Sequence, residues 1–102
     1  MKLVKVRGFR PLRLFNVEGM VAYPFVLFAS KNPSAELENH EGIHVQQIER
    51  DGVLRFYTMY LLEYLKFRKA GLNHDQAYRS ISYEKEAYEF HRDLRYKVAA
   101  RG

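Results

Sequence analysis

The sequence predicts an α+β fold: a small antiparallel sheet from the first 30 residues, packed against three helices. Apolar and basic residues alternate from Leu3 to Arg7, and a β-prone apolar run fills Met20 to Phe28. From Asn32 onward the chain carries helix start and stop signals at Asn32-Pro33, Asp51-Gly52, Gly71 and Asn73. A hydrophobic fraction of 47%, with eight Tyr and seven Phe, suits a folded globule, and 102 residues suit one domain spanning 1–102.

The elements follow in order. Leu3 to Arg7 reads as a first strand, punctuated by Gly8 and Pro11, and Leu12 to Val17 alternates again with Arg13 and Asn16 outward. Asn16 to Gly19 is turn material before the Met20–Phe28 strand. Pro24 cannot donate to a ladder, so that strand is an edge strand or is bulged there. A first helix runs from Pro33 to about Glu49, with Asn32 as N-cap, and ends at Asp51-Gly52. A second runs from Val53 to about Ala70 and closes at Gly71. Its Arg55, Glu63, Lys66 and Lys69 share one arc, and most of the remaining surface is apolar, wider than one core-facing stripe. Such a helix is either sandwiched between two layers or offers a face to a second copy or a membrane. With little other chain to build a core, the expectation is burial within the monomer, and a homo-oligomer through residues 53–70 is the alternative. The last helical stretch, capped by Asn73 or Asp75, runs to about Ala99 with a break near Ile81-Ser82.

The first helix carries His40-Glu41-Gly42-Ile43-His44. Residues four apart stand one turn above each other on the same face, so both imidazoles can reach one metal ion. Glu41 can touch a water held there, which is the His-Glu-x-x-His arrangement of zinc metallopeptidases, with Glu as general base. The chain has no Cys, so a metal site must use His and carboxylates. A catalytic zinc takes three protein ligands and keeps one position open, and Glu can be the third. Glu84, in Ile81-Ser82-Tyr83-Glu84-Lys85-Glu86-Ala87-Tyr88-Glu89, is the candidate, with the small Ala87 on the same face permitting close helix approach.

In these residues the chain resembles the gluzincins, zinc peptidases whose third ligand is a Glu on a separate helix. Several of their branches show Glu-x-x-Ala there, matched by Glu84-Lys85-Glu86-Ala87. The phrases His-Glu-Gly-Ile-His-Val-Gln-Gln (40–47) and Ala-Tyr-Arg-Ser-Ile-Ser-Tyr-Glu-Lys-Glu-Ala-Tyr (77–88) resemble small single-domain bacterial proteins of that type. The resemblance implies a minimal zincin-like domain holding Zn2+ through His40, His44 and Glu84, with Glu41 catalytic. Many gluzincins carry an acidic residue four positions after the ligand Glu. Here position 88 is Tyr, whereas Asp93 stands at that offset from Glu89, so Glu89 stays a rival, as does Glu86 directly before Ala87. Glu86 lies about 200° round the helix from Glu84, so both cannot face one metal. The reading takes Glu84 as ligand and Glu86 as an outer or solvated carboxylate.

Further candidates surround this set. His91, seven residues after Glu84, shares its face and either braces the site, donates to an oxyanion or is simply packed. Tyr83 and Tyr88 flank the proposed ligand, and peptidases of this class often use a Tyr or His as oxyanion donor. Gln47 lies on the His face, in reach of a hydrogen bond to a ligand. His74 reads as a surface residue.

The net charge of +5 raises nucleic-acid or membrane-surface binding as an alternative. The basic residues are spread over both ends (Lys2, Lys5, Arg7, Arg10 and Arg13; Arg92, Arg95, Lys97 and Arg101) without a nucleic-acid motif, so no specific nucleic-acid partner is expected. No apolar run reaches signal-peptide or membrane-spanning length, and the expected location is cytoplasmic. The function expected is hydrolysis of a peptide or protein substrate, bound by strand addition along Tyr23 to Phe28. The alternative from another class is a non-catalytic zinc-stabilised interaction module.

Overall fold

The N-terminal layer is a three-stranded sheet of β1 (Val4–Val6), β2 (Gly19–Ala22) and β3 (Phe25–Phe28), in the order β1-β3-β2. The computed structural model describes residues 3–101, so Lys2 of the basic N-terminus lies outside the described residues. β2 and β3 form an antiparallel hairpin with Val21 opposite Val26, whereas β1 pairs with β3 in parallel, Val4 opposite Phe25. The sheet is therefore mixed and not wholly antiparallel. Leu12 to Val17, expected as a strand, is instead largely a 3-10 helix over Arg10–Phe15. Pro11 explains it: its fixed φ and missing N–H suit the first turn of a helix. Asn16 closes that helix in the left-handed conformation, φ 56°, donating its N–H to the Arg13 carbonyl.

The strand Phe25–Phe28 is central, flanked on both sides, and has no free edge. Pro24 lies in the β2–β3 turn, after a cis Tyr23–Pro24 bond, where its missing N–H costs no ladder bond. The edges are β1 and β2. Along β2 the Tyr57 hydroxyl donates to the Val21 carbonyl (2.7 Å) and accepts from the Tyr23 amide (3.2 Å).

The first helix, α1 (Ala35–Asp51), is capped by Ser34, whose Oγ accepts from the Leu37 amide at 3.0 Å; Asn32 and Pro33 precede the cap. Ser34 places its oxygen where the first-turn amides need it, and Glu36 and Glu38 complement the positive end. Gly52, φ 91°, ends α1 and starts α2 (Val53–Lys69), which stops before Gly71, φ 101°. The third stretch breaks where expected, at Ile81, into α3 (His74–Ser80) and α4 (Ser82–Phe90). Asn73 caps α3 in a reciprocal box with Gln76. Glu63 of α2 accepts from the Ser82 amide (2.7 Å) and hydroxyl (3.0 Å), starting α4 afresh. α4 ends at Phe90 and not near Ala99, because Asn39 Nδ2 of α1 donates to the His91 (2.8 Å) and Asp93 (3.0 Å) carbonyls and turns the chain away.

The core lies between the sheet and the helices, around Val26, Phe28, Val45, Ile48, Phe56 and Ile81. Only Phe56 of α2 is fully buried, with Tyr60 and Tyr64 packed beside it. The expectation that α2 is sandwiched inside the monomer fails: one layer covers one face, and Leu54 and Leu61 remain 82% and 56% exposed.

At the end of α1 the Asp51 carboxylate, 1% exposed, joins three segments. It accepts from the Arg50 and Arg101 guanidiniums and from the Tyr83 hydroxyl at 2.7 Å. These hydrogen bonds outweigh its desolvation and hold its pKa well below the usual carboxylate range. A carboxyl depressed in the folded state stabilises the fold above its unfolded pKa, and that contribution is lost as pH falls through the lower folded value. Asp51→Asn should cost about 2 kcal/mol at pH 7, a charged-hydrogen-bond magnitude discounted because both arginines can turn to water. Urea unfolding should show this difference constant above about pH 5 and shrinking in acid.

Candidate metal centre

α1 turns His40, Glu41, His44 and Gln47 inward on successive turns, and α4 meets them with Glu84. Ala87, wholly buried, is the small residue that lets α4 approach. His40 Nε2 and His44 Nε2 both lie 3.1 Å from the same oxygen, Glu84 Oε1. The other Glu84 oxygen accepts from the Tyr60 hydroxyl of α2 at 2.6 Å. The three side chains are nearly solvent-free, and their ligand atoms lie within 4.8 Å of one another. Among the described residues no fourth His, Cys, Asp or Glu belongs to the group. Of the three candidate glutamates, only Glu84 joins it. Glu86 accepts from Gln47 Nε2 (2.7 Å) and from the Tyr96 hydroxyl, and Glu89 is exposed.

The surrounding hydrogen bonds dictate where the imidazole protons sit. Gln47 donates its amide to the Tyr83 carbonyl (3.0 Å) and to Glu86, so its Oε1 must accept from His44 Nδ1 at 2.8 Å. On the other ligand, His40 Nδ1 lies 3.0 Å from His91 Nδ1, and His91 Nε2 lies 3.0 Å from Glu36 Oε1. The Glu36 carboxylate can only accept, which places a proton on His91 Nε2; in the neutral tautomer of His91 its bare Nδ1 accepts from His40 Nδ1. With both imidazoles neutral in these tautomers, the remaining Nε2 lone pairs point at the Glu84 carboxylate. Three acceptors thus converge, and His44 Nε2 is left without a hydrogen-bond partner.

Such a convergence needs positive charge. A proton can supply it: burial disfavours charge on His44, but the adjacent Glu84 and Glu41 carboxylates more than offset this and raise its pKa to about 9. Burial would raise the Glu84 carboxyl, but protons on the facing His40 and His44 imidazoles, with the Tyr60 hydroxyl, more than offset this and hold it well below the usual carboxylate range. A metal cation satisfies the same three acceptors at once, and an orphaned buried lone pair on a neutral His is the donor it requires. The His40, His44 and Glu84 group can therefore hold a metal ion.

These residues form the floor of a cleft of about 880 Å³ between β2, α1, α2 and α4. Glu41 faces this cleft beside the group. Burial, reinforced by Glu84 and opposed by His44, pushes its carboxyl up to about 7. Gly19 of β2 makes room for it: a Cβ there would lie 3.3 Å from Glu41 Cγ and 3.4 Å from its Oε2. Tyr88 lines the cleft with its ring 4.6 Å from His40, and His91 lines it with both nitrogens engaged. Tyr83 does not line it; its hydroxyl is bonded to Asp51 and its carbonyl to Gln47. His74, read as a surface residue, is exposed yet lines the cleft's rim and bonds the Tyr64 hydroxyl at 2.9 Å.

Four participants were missed in the sequence reading: Tyr60, Tyr78, Asn39 and Gly19. Phe56, Tyr60 and Tyr64 recur at four-residue spacing on α2, and a phenol on a core stripe must find a buried partner, which was a usable signal. Tyr78 lines the cleft, and burial with the nearby Glu84 charge raises its pKa. Nothing local marks Asn39 or Gly19, whose roles arise from elements distant in the chain. No protein-family model, curated protein or solved structure matches this chain.

Outer partners of metal-bound imidazoles typically contribute about 10–100-fold in metal affinity. Gln47→Leu, which removes the acceptor for His44 Nδ1, should weaken binding of a divalent metal ion by about that factor in competition with a chromophoric chelator. Exposed Glu89→Ala should leave it unchanged.

Proposed function

We propose that this protein is a gluzincin-like zinc-dependent peptidase. The observation that carries this reading is the convergence of His40 Nε2, His44 Nε2 and Glu84 Oε1 in the floor of a cleft, with the Glu41 carboxylate beside them. Two His and one Glu match zinc's preference for nitrogen and oxygen donors when thiolates are missing, and three protein ligands leave a position for chemistry. Zinc bound there would lower the pKa of a water towards 7 and polarise the scissile carbonyl.

The chain's own groups supply the rest. Glu41, whose carboxylate faces the cleft beside the three ligands, takes a proton from the attacking water and passes it to the leaving amine. Gly19, with no side chain of its own, leaves the space its carboxylate occupies. The phenols of Tyr78 and Tyr88 line the cleft and are pushed up from their ordinary pKa by burial, so they stay protonated and can donate to an oxyanion. The Tyr60 phenol is already committed to Glu84. An extended substrate adds to the outer edge of β2, not to β3. The Val21 carbonyl there is taken by Tyr57, which leaves the Gly19 end, beside Glu41, for pairing.

Glu41→Gln keeps the size of the side chain but cannot accept a proton at neutral pH. It should bind zinc as wild type does and lose about 10²–10⁴ in the rate of cleavage of an unfolded protein or mixed peptide library. Equal turnover by the two proteins would end this mechanism. Zinc bound with no turnover by either would point to a metal-stabilised interaction module.

A further inference from the structure

The outward face of α2 has no role in the cleft. Leu54, Leu61 and Leu65 fall within an arc of about 40° on the side of the helix opposite the buried Phe56, with Leu62 alongside. All four are more than half exposed, at 82%, 56%, 51% and 55% in that order. The cations Arg55, Lys66 and Lys69 flank this stripe on one side and Arg68 on the other. None of them forms an ion pair among the described residues, and the helix's one acid, Glu63, is turned inward onto Ser82. A second apolar tip repeats the pattern: Leu14 and Phe15 are 83% and 77% exposed beside Arg10 and Arg13. Phe15 of this tip and Tyr57 of α2 both line the cleft.

We infer that this face docks the protein on the surface of a bilayer containing anionic phospholipids. An apolar stripe rimmed by Lys and Arg lies in the headgroup region, its leucines in the acyl boundary and its cations on lipid phosphates and carboxylates. A second copy of the chain is the poorer occupant. Pairing two α2 helices along this seam would oppose four cations from each, with no outward acid on α2 to meet them. Interfacial docking also suits the helix length, since no helix among the described residues is long and apolar enough to cross a membrane. The inference does not depend on the metal or on hydrolysis.

The test is co-sedimentation of the full chain with vesicles of phosphatidylcholine alone, or of phosphatidylcholine and phosphatidylserine in equal parts, with and without chelator. The chain should bind the anionic vesicles about tenfold or more tightly than the neutral ones, whatever the chelator, and should release as salt rises. The exposed-face variant Leu54→Ser/Leu61→Ser/Leu65→Ser should lose binding about tenfold or more while melting as wild type does. Lys66→Gln/Lys69→Gln should show a smaller loss, confined to anionic vesicles. Wild type that stays in the supernatant, or the serine variant binding undiminished, overturns the inference. So does a wild-type dimer in light scattering that the serine variant abolishes, with vesicles bound by neither.

Discussion

One buried carboxylate sets the arrangement of the helices. Glu84 presents one oxygen to two imidazoles of α1 and the other to a phenol of α2, so α1, α2 and α4 are joined at a single side chain. A carboxylate taken from water into such a site is costly unless charge and hydrogen bonds compensate it. The compensation comes from the Tyr60 hydroxyl on one oxygen and from positive charge at the other, whether a proton held on His44 or a metal. The chains Glu36–His91–His40 and Glu86–Gln47–His44 hold the two imidazoles in place facing it.

The same economy of chain explains the surroundings. The helices α1, α3 and α4 cover only one face of α2, and that face goes to the core and to the wall of the cleft. Tyr57, Tyr60 and Tyr64 each use a ring for packing and a hydroxyl to fix something else: the β2 edge, Glu84 and His74. The opposite face of α2 is left to whatever lies outside the protein, and its leucines and cations define what that can be.

Much of this was legible in the sequence because the signals are local. His40 and His44 are one helical turn apart, Gly52 and Gly71 mark helix ends, and the break at Ile81-Ser82 falls where it was expected. Helical angle sets Glu84 and Glu86 on different faces without choosing between them, and the structure places Glu86 on Gln47 and Tyr96, away from the Glu84 oxygens. One failure was a local signal overlooked, and the others were non-local. Leu12 to Val17 alternates like a strand, but Pro11 starts a 3-10 turn, and that crossover makes β1 parallel to β3. The last helix was read too long, because its stop is written on another helix, at Asn39. The burial of α2 was misjudged because an apolar count does not reveal how many layers a chain this short can build. Gly19 looked like turn material, yet it sits in a strand against the Glu41 side chain, a relation between residues 22 positions apart.

The account stands on one cation meeting three side chains, and a crystal of the zinc-soaked protein with anomalous data at the zinc edge tests that directly. A single peak is expected at about 2.0–2.2 Å from His40 Nε2, His44 Nε2 and a Glu84 oxygen, with no fourth protein ligand. A protein that takes up no metal, or a peak held by Glu86 or Glu89 in place of Glu84, would contradict it.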